Sequence, residues 1–251
     1  MIACIKQLFY SPLDKPCVLS ESHQNASHST KSLQLVPNLC TKSKHRDSFD
    51  KIYSDGCWGG KLRSKDDFYG DAHWPTTRVQ TSASGGGSNL GYATETSLKI
   101  IKDTIVKYNV KSMVDIPCGD LNWIFDSFLA DSLPVYASLD VAANTIALNQ
   151  QRFAHHSNKV IEFWDATTCE IPMYSTIPHG SGGRGLPESF DLAHVRDVIQ
   201  HLPLKDGVEF FCNVFRAGIR VLITTSYNSD MKKNKDVRSG SFETINLENP
   251  P

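Results

Sequence analysis

Hydrophobic positions along this 251-residue chain fall into two regimes. From Ser11 to Arg46 apolar residues are isolated among Ser, His, Lys, Asn and Pro, too few at any period to bury a face, so residues 1–46 read as a disordered or loosely attached leader. From residue 47 onward the pattern becomes periodic and reads as one domain over 47–251. A short helix is predicted at Phe49 to Ser54. Tyr92 to Tyr108 carries Leu98, Ile101, Ile105 and Val106 near helical spacing, which gives one apolar face against a sheet, and Thr94 or Asn89 can cap it. Val114 and Ile116 flank Asp115 in a β-branched run that Pro117 stops, because proline fixes its own φ and biases the residue before it toward an extended backbone. A helix is expected from Leu121 to Leu129. Strands are predicted at Val135 to Asp140, Val160 to Trp164, Phe190 to Val195 and Arg220 to Ser226, with helices at Ala142 to Ala154 and Gly207 to Ala217 between them. Strands alternating with helices predict an α/β, Rossmann-like, doubly wound and mostly parallel sheet.

The turn after the first of these strands draws attention to ligand chemistry. Gly119 follows Pro117 and Cys118 and precedes Asp120, and a glycine there can take φ > 0 or let another group approach the main chain closely. The second strand ends in Asp140 about 20 residues later, where ribose-binding doubly wound folds place an acid. Asp165 ends the third strand, beside Ala166, as either a turn-former or an acceptor facing a base. Arg196 and Asp197 follow the fourth. A helix starting near Asp197 would put Asp197 and His201 on one face at the carboxyl edge of the sheet, and this pair is the candidate for acid–base work; the alternative is a capping aspartate beside a packing histidine. Trp58 reads as an aromatic plug or as a lid. Ser82 to Asn89 reads as a linker or as a loop with free N–H groups facing a carboxylate.

At these residues the chain resembles the class I S-adenosylmethionine-dependent methyltransferases. Asp115-Ile-Pro-Cys-Gly119-Asp120 is similar to their acidic, glycine-bearing first motif, Asp140-Val141 to the ribose acid and its neighbour, and Phe163-Trp-Asp-Ala166 to the loop framing the adenine. A methyltransferase-domain subgroup of unassigned substrate is closer still, through phrases similar to Phe49-Asp-Lys-Ile-Tyr53 with Trp58-Gly-Gly60, Ser84-Gly-Gly-Gly-Ser88, Pro117-Cys-Gly-Asp-Leu-Asn-Trp123, Arg196-Asp-Val-Ile-Gln-His-Leu202 and Asn246-Leu-Glu-Asn-Pro-Pro251. The resemblance implies S-adenosyl-L-methionine as cofactor. It assigns the ribose hydroxyls to Asp140, the adenine amine to Asp165, and the amino-acid end to the main chain around Gly119, in a turn ordered by Asp115. Pro117, Cys118, Asp120, Val141, Ala166 and Arg196 complete the expected cofactor contacts. His201, positioned by Asp197, is the expected base, Arg196 a holder for an anionic group, and Trp123 an aromatic facing the sulfonium. The family's sheet has seven strands, the last two forming an edge hairpin. After Ser226 too few apolar residues remain for that hairpin, so a truncated chain is expected, its fifth strand open and covered by a dimer or partner.

Composition narrows the remaining choices. The hydrophobic fraction of 40% supports a real core, and a formal charge of −1 provides no general field for nucleic acid or an anionic membrane. The absence of an apolar run near the roughly 20 residues that span a bilayer predicts a soluble, cytoplasmic protein. Seven cysteines without a C-x-x-C pair argue against structural zinc and against a disulfide framework, and read mostly as buried thiols. His155-His156 reads as a helix-end pair complementing the dipole rather than as a metal site. Asn25-Ala-Ser27 matches the glycosylation pattern without other signs of secretion. The glycine-rich stretch His179 to Gly185 lacks the Gly-Lys-Ser/Thr of a P-loop and reads as an insertion. The function expected is methyl transfer to an oxygen or nitrogen of a small-molecule or sugar-type acceptor. Two alternatives stand beside it: a non-catalytic nucleoside-binding domain, and an NAD-dependent oxidoreductase, against which the missing G-x-G-x-x-G turn counts.

Overall fold

A computed structural model describes residues 3–9, 34–35, 40, 43–59, 82–124, 129–153, 159–175, 188–227 and 233–249. His155, His156, Asn25 to Ser27, His179 to Gly185 and Pro250-Pro251 lie outside the described residues. The elements are β1 (Ala3–Phe9), β2 (Gln34–Leu35), α1 (Arg46–Asp55), α2 (Tyr92–Tyr108), β3 (Ser112–Asp115), α3 (Leu129–Ser132), β4 (Val135–Asp140), α4 (Ala143–Arg152), β5 (Lys159–Phe163), β6 (Tyr174–Ser175), β7 (Leu192–Val195), α5 (Leu204–Arg216) and β8 (Val221–Tyr227). Six strands form one sheet in the order β1-β8-β7-β3-β4-β5. β5, β4, β3, β7 and β8 are parallel to their neighbours, and β1 runs antiparallel to β8. The chain therefore builds outward from β3 in one direction, returns, and builds outward in the other. Doubly wound sheets hold their ligands in the crevice at that reversal, above the carboxyl ends of β3 and β7.

Burial explains why the central strands read as nearly continuous apolar runs. Every residue of β3, β4 and β7 is buried, as expected when helices cover both faces of a parallel sheet. The strand period of two divides the core accordingly. Val114, Ala137, Leu139, Ala193, Val195 and Leu222 pack with Phe210 and Val214 of α5 on one side. Met113, Tyr136, Leu192 and Ile223 pack with Ile101 of α2 and Ile146 of α4 on the other.

Four expectations change. The edge of the fifth parallel strand is not open, because Ala3 to Phe9 pair along it from Tyr227 to Val221. A segment of the stretch read as leader thus occupies the place that a partner was expected to fill. The residues from Ser43 to His45 also touch the domain: Ser43 Oγ donates to Asp165, and Lys44 pairs with Asp206. Helix does not begin at Leu121, whose φ is 55°; a turn follows through Ile124, and α3 starts only at Leu129. Buried Asp120 bonds to the Asn122 N–H and bends the chain before a helix can form.

The fourth change concerns the cysteines. Cys40 and Cys169 form a disulfide across 129 residues of sequence, and Cys212 is also disulfide-bonded, which leaves Cys57 and Cys118 as free thiols among the described residues. The pairing is made by tertiary approach of two distant loops, so no local spacing announces it. Among the described residues no helix is long and apolar enough to cross a membrane. Disulfides persist in oxidising compartments, however, and a cytoplasmic location does not follow from this fold.

A cross-link closing so long a loop stabilises by a nominal ~5 kcal/mol in the chain-entropy model and commonly by about 2–4 kcal/mol. Cys169→Ser is therefore expected to lower the melting temperature by roughly 5–10 °C relative to the oxidised protein. Excess reductant should do the same to the wild type, and differential scanning calorimetry of the two checks both.

Candidate active site

The turn after β3 is fastened from several directions. Cys118 N–H donates to Leu139 O at 2.9 Å, tying the turn to β4. Gly119 sits at φ +57°, and a Cβ there would lie 2.3 Å from Ser84 Oγ. Glycine is thus required both by the backbone and by the close approach of the Ser82 to Ser88 loop. Gly119 N–H donates to Asp140 Oδ2 at 2.8 Å, and Ala142 N–H donates to Asp140 Oδ1 at 2.8 Å. The glycine turn and the acid at the end of β4 therefore converge, as the sequence pattern implied. Asp140 is 3% exposed. Burial lifts its carboxyl to about 6, opposed by the donated N–H groups of Ala142 and Gly119 and reinforced by nearby Asp115.

Asp140, Gly119, Cys118, Pro117 and Asp115 all line one cavity of about 260 Å³, whose other walls include the Ser84 to Ser88 loop, Trp58, Arg196 and His201. A second, smaller cavity of about 30 Å³ adjoins it past Phe49, Pro117 and Asp140, which border both, and is walled by Val141, Trp164, Asp165 and Ala166. The expected cofactor contacts are thus brought to two neighbouring spaces on the carboxyl edge of the sheet, with one exception. Asp120 lines neither space. Its carboxylate accepts from Ser82 Oγ at 2.8 Å and Ala83 N–H at 2.7 Å, and so anchors the serine- and glycine-rich loop over the turn.

Three expected roles change in the structure. Asp165 accepts from Ser43 Oγ, from Thr167 N–H at 2.9 Å and from Thr167 Oγ1 at 2.6 Å, so it organises its own loop and receives the segment before α1. Arg196 donates to Gly87 O at 2.5 Å and to Ser88 Oγ at 3.3 Å, and its guanidinium lies 5.2 Å from the Trp123 ring centre. Its charge is already met by Asp197 at 3.4 Å, which removes it as a free holder of an anion. Asp197 and His201 do not share a helix face. Asp197 has φ 52°, His201 ends a one-turn 3-10 helix at Ile199–His201, and α5 begins only at Leu204.

The carbonyl of Ser241 orients His201 instead of Asp197, accepting from Nδ1–H at 2.8 Å. Burial depresses the imidazole below its ordinary value, while the Ser241 bond and the Asp197 charge act in the other direction. A neutral ring with Nδ1 protonated keeps Nε2 as a base. Trp58 lies 4.9 Å and Phe242 5.6 Å from the His201 ring, centre to centre. Trp58 therefore joins the cavity wall as well as packing on Tyr53 at 5.4 Å. Burial, with Asp197 adding, pushes the Tyr227 phenol up to about 12, so it remains a donor.

Sequence reading passed over several of these residues. Ser241 and Phe242 stand in the segment after β8 that looked too polar to matter, and nothing local marks them. That segment is held by Glu243 N–H to Gln200 O at 3.0 Å and by Tyr227 N–H to Ile245 O at 2.8 Å. His194 had a usable signal, a histidine inside the apolar strand Leu-Ala-His-Val. Among the described residues no group of three or more His, Cys, Asp or Glu is placed to hold a metal ion.

No protein-family model and no curated protein matches the sequence. Solved structures that overlap it include methyltransferases. The methyltransferase domain of a bacterial protein, CtHen1-CN, is 16% identical over 53% of this chain and 66% of its own, with a TM-score of 0.41. Magnesium protoporphyrin IX methyltransferase from Synechocystis PCC 6803, with bound SAH, is 14% identical over 74% of this chain and 72% of its own, at 0.45. SAM-bound CalS10, an amino pentose methyltransferase from Micromonospora echinaspora, is 14% identical over 53% and 51%, at 0.39. The chain thus spans just under two thirds of the first and about half of the third. At these scores the overlaps carry no argument about substrate; the parallel strand order and the crevice define the Rossmann-like fold on their own.

The raised carboxyl of Asp140 sets a pH expectation. If Asp140 takes the ribose hydroxyls, as the resemblance implies, its ionised form is the one that accepts both, so adenosyl-ligand affinity is expected to be full above about 6 and to fall as pH drops through that value. Asp140→Asn should weaken binding about tenfold or more at neutral pH and flatten the profile, as isothermal titration of S-adenosylhomocysteine across pH would show. An unchanged profile in the variant would contradict the assignment.

Proposed function

We propose that this protein transfers a methyl group from S-adenosyl-L-methionine to an oxygen or nitrogen of a small-molecule or sugar-type acceptor. The observation that supports it most is the meeting of the Gly119 amide and the buried Asp140 carboxylate on the wall of a cavity that also carries His201. The residues fit the cofactor at two places. A buried carboxylate with no opposing cation among the described residues suits a pair of ribose hydroxyls, and the turn from Pro117 to Gly119 walls the same space.

When bound, S-adenosylmethionine supplies a methyl carbon already made electrophilic by its sulfonium, so alignment and exclusion of water account for most of the rate. His201 Nε2 would take the proton that the acceptor oxygen or nitrogen gives up, and Ser241 O keeps the imidazole in the tautomer this requires. The acceptor end has ring walls in Trp58, His201, Tyr227 and Phe242. Its partly buried cation and anion, Arg196 and Asp197, face each other. That setting suits an uncharged acceptor with a flat or apolar face, such as a sugar or an aromatic alcohol, better than an anionic one.

The reading is tested by transfer of label from S-adenosylmethionine to a small-molecule extract. His201→Gln is expected to lower turnover by about 10²- to 10⁴-fold while leaving S-adenosylhomocysteine affinity within about twofold. A wild type that binds S-adenosylhomocysteine but transfers no label would favour a nucleoside-binding domain. Binding of NAD in its place would favour an oxidoreductase.

A further inference from the structure

Beneath the cavity lies a buried polar group that the methyl-transfer scheme above does not use. His194, near the end of β7, is 1% exposed. It stands opposite Asp115 in the parallel register between β7 and β3. Its Nδ1 is 2.7 Å from Asp115 Oδ1, and since a carboxylate only accepts, the ring nitrogen donates. Tyr136 Oη donates to the other oxygen, Oδ2, at 3.0 Å. Burial holds the Tyr136 phenol well above its ordinary value, with the Asp115 charge adding to the effect, so this donor stays protonated. The ring of His194 is therefore fixed in orientation and, when neutral, in tautomer. What remains is Nε2, a buried acceptor with no hydrogen-bond partner. His194 and Asp115 both line the 260 Å³ cavity.

An unpartnered buried nitrogen lacks a hydrogen bond that a ligand can restore. Its surroundings indicate which ligand group. Asp115 and Asp140 are both buried carboxylates on this cavity, and Arg196, the cation nearby, is already held by Asp197 and by Gly87 O. A donor carrying positive charge is therefore favoured over a neutral one. The turn itself offers little alternative, since Gly119 O already accepts from Asn149 Nδ2 at 2.8 Å and Asp120 O from Arg152 at 2.8 Å. Resting on the adenosyl-ligand reading, we propose that His194 is a ligand-binding residue whose Nε2 accepts a hydrogen bond from the primary ammonium of the ligand's amino-acid end, with Asp115 as its positioning residue.

The test compares three probes by isothermal titration: S-adenosylhomocysteine, its deamino analogue, and methylthioadenosine, which lacks the amino-acid end. Wild-type protein is expected to bind S-adenosylhomocysteine at least about tenfold more tightly than the deamino analogue. His194→Phe should erase that difference and leave methylthioadenosine unchanged, which also reports an intact nucleoside site. His194→Asn, whose amide can donate to Asp115 in place of Nδ1 but does not reach the Nε2 position, gives the same readout if the phenylalanine variant does not fold. Equal wild-type affinity for S-adenosylhomocysteine and the deamino analogue, or a preference that survives in the variants, would overturn the role of His194 alone. A wild type that binds none of the three overturns the adenosyl reading and this inference with it.

Discussion

The site depends on one hydrogen bond, from the amide of Gly119 to the carboxylate of Asp140. It joins the turn after the first parallel strand to the acid that ends the second, and it does so inside the fold, where no cation among the described residues opposes the charge. Maintaining an ionised carboxylate there costs free energy, and the donated amides of Gly119 and Ala142 offset only part of it. A site of this kind is arranged for further donors. Much of the neighbouring structure serves to hold the pair in place: Ser84 packs against the glycine, Asp120 anchors the loop carrying Ser84, and Leu139 O receives Cys118 N–H.

Around that bond the chain closes the crevice with segments remote in sequence. α1 brings Phe49 and Tyr53 to its wall, and the stretch after β8 brings Ser241 and Phe242. These two segments also meet directly, since a Cβ on Gly240 would lie 2.4 Å from Ile52 Cδ1. The Cys40–Cys169 link and the Ser43 to Asp165 bond fix the approach to α1 beside the smaller cavity. Two carboxylates with similar positions at strand ends thereby take different parts. Among the described residues Asp140 takes only main-chain amides, and it lines both cavities, whereas Asp165 lines the smaller one alone and is bonded by the side chains of Ser43 and Thr167.

The elements that strand and helix periodicity could reveal were the ones that the core buries on both sides. β3, β4, β7 and β8 are apolar because helices cover them, and the glycine turn and Asp140 are legible because backbone geometry and spacing restrict them. What could not be read depends on contacts between distant segments. The sequence Ala3 to Phe9 carries no sign that it will pair with Val221 to Tyr227, and cysteines 129 residues apart show no local spacing. Asp197 and His201 fit helical spacing, yet the left-handed backbone at Asp197 sends the histidine to Ser241. His194 was hidden for another reason. Its strand reads as core, and only the register with Asp115 turns a buried imidazole into part of the cavity wall.

The central claim is that the space beside Gly119 and Asp140 receives an adenosyl group. A crystal structure of the protein with S-adenosylhomocysteine tests it most directly. The account predicts ribose hydroxyls on the Asp140 carboxylate and the thioether facing the part of the cavity that holds His201. A ligand bound elsewhere, or ribose density that leaves Asp140 without contact, would contradict it.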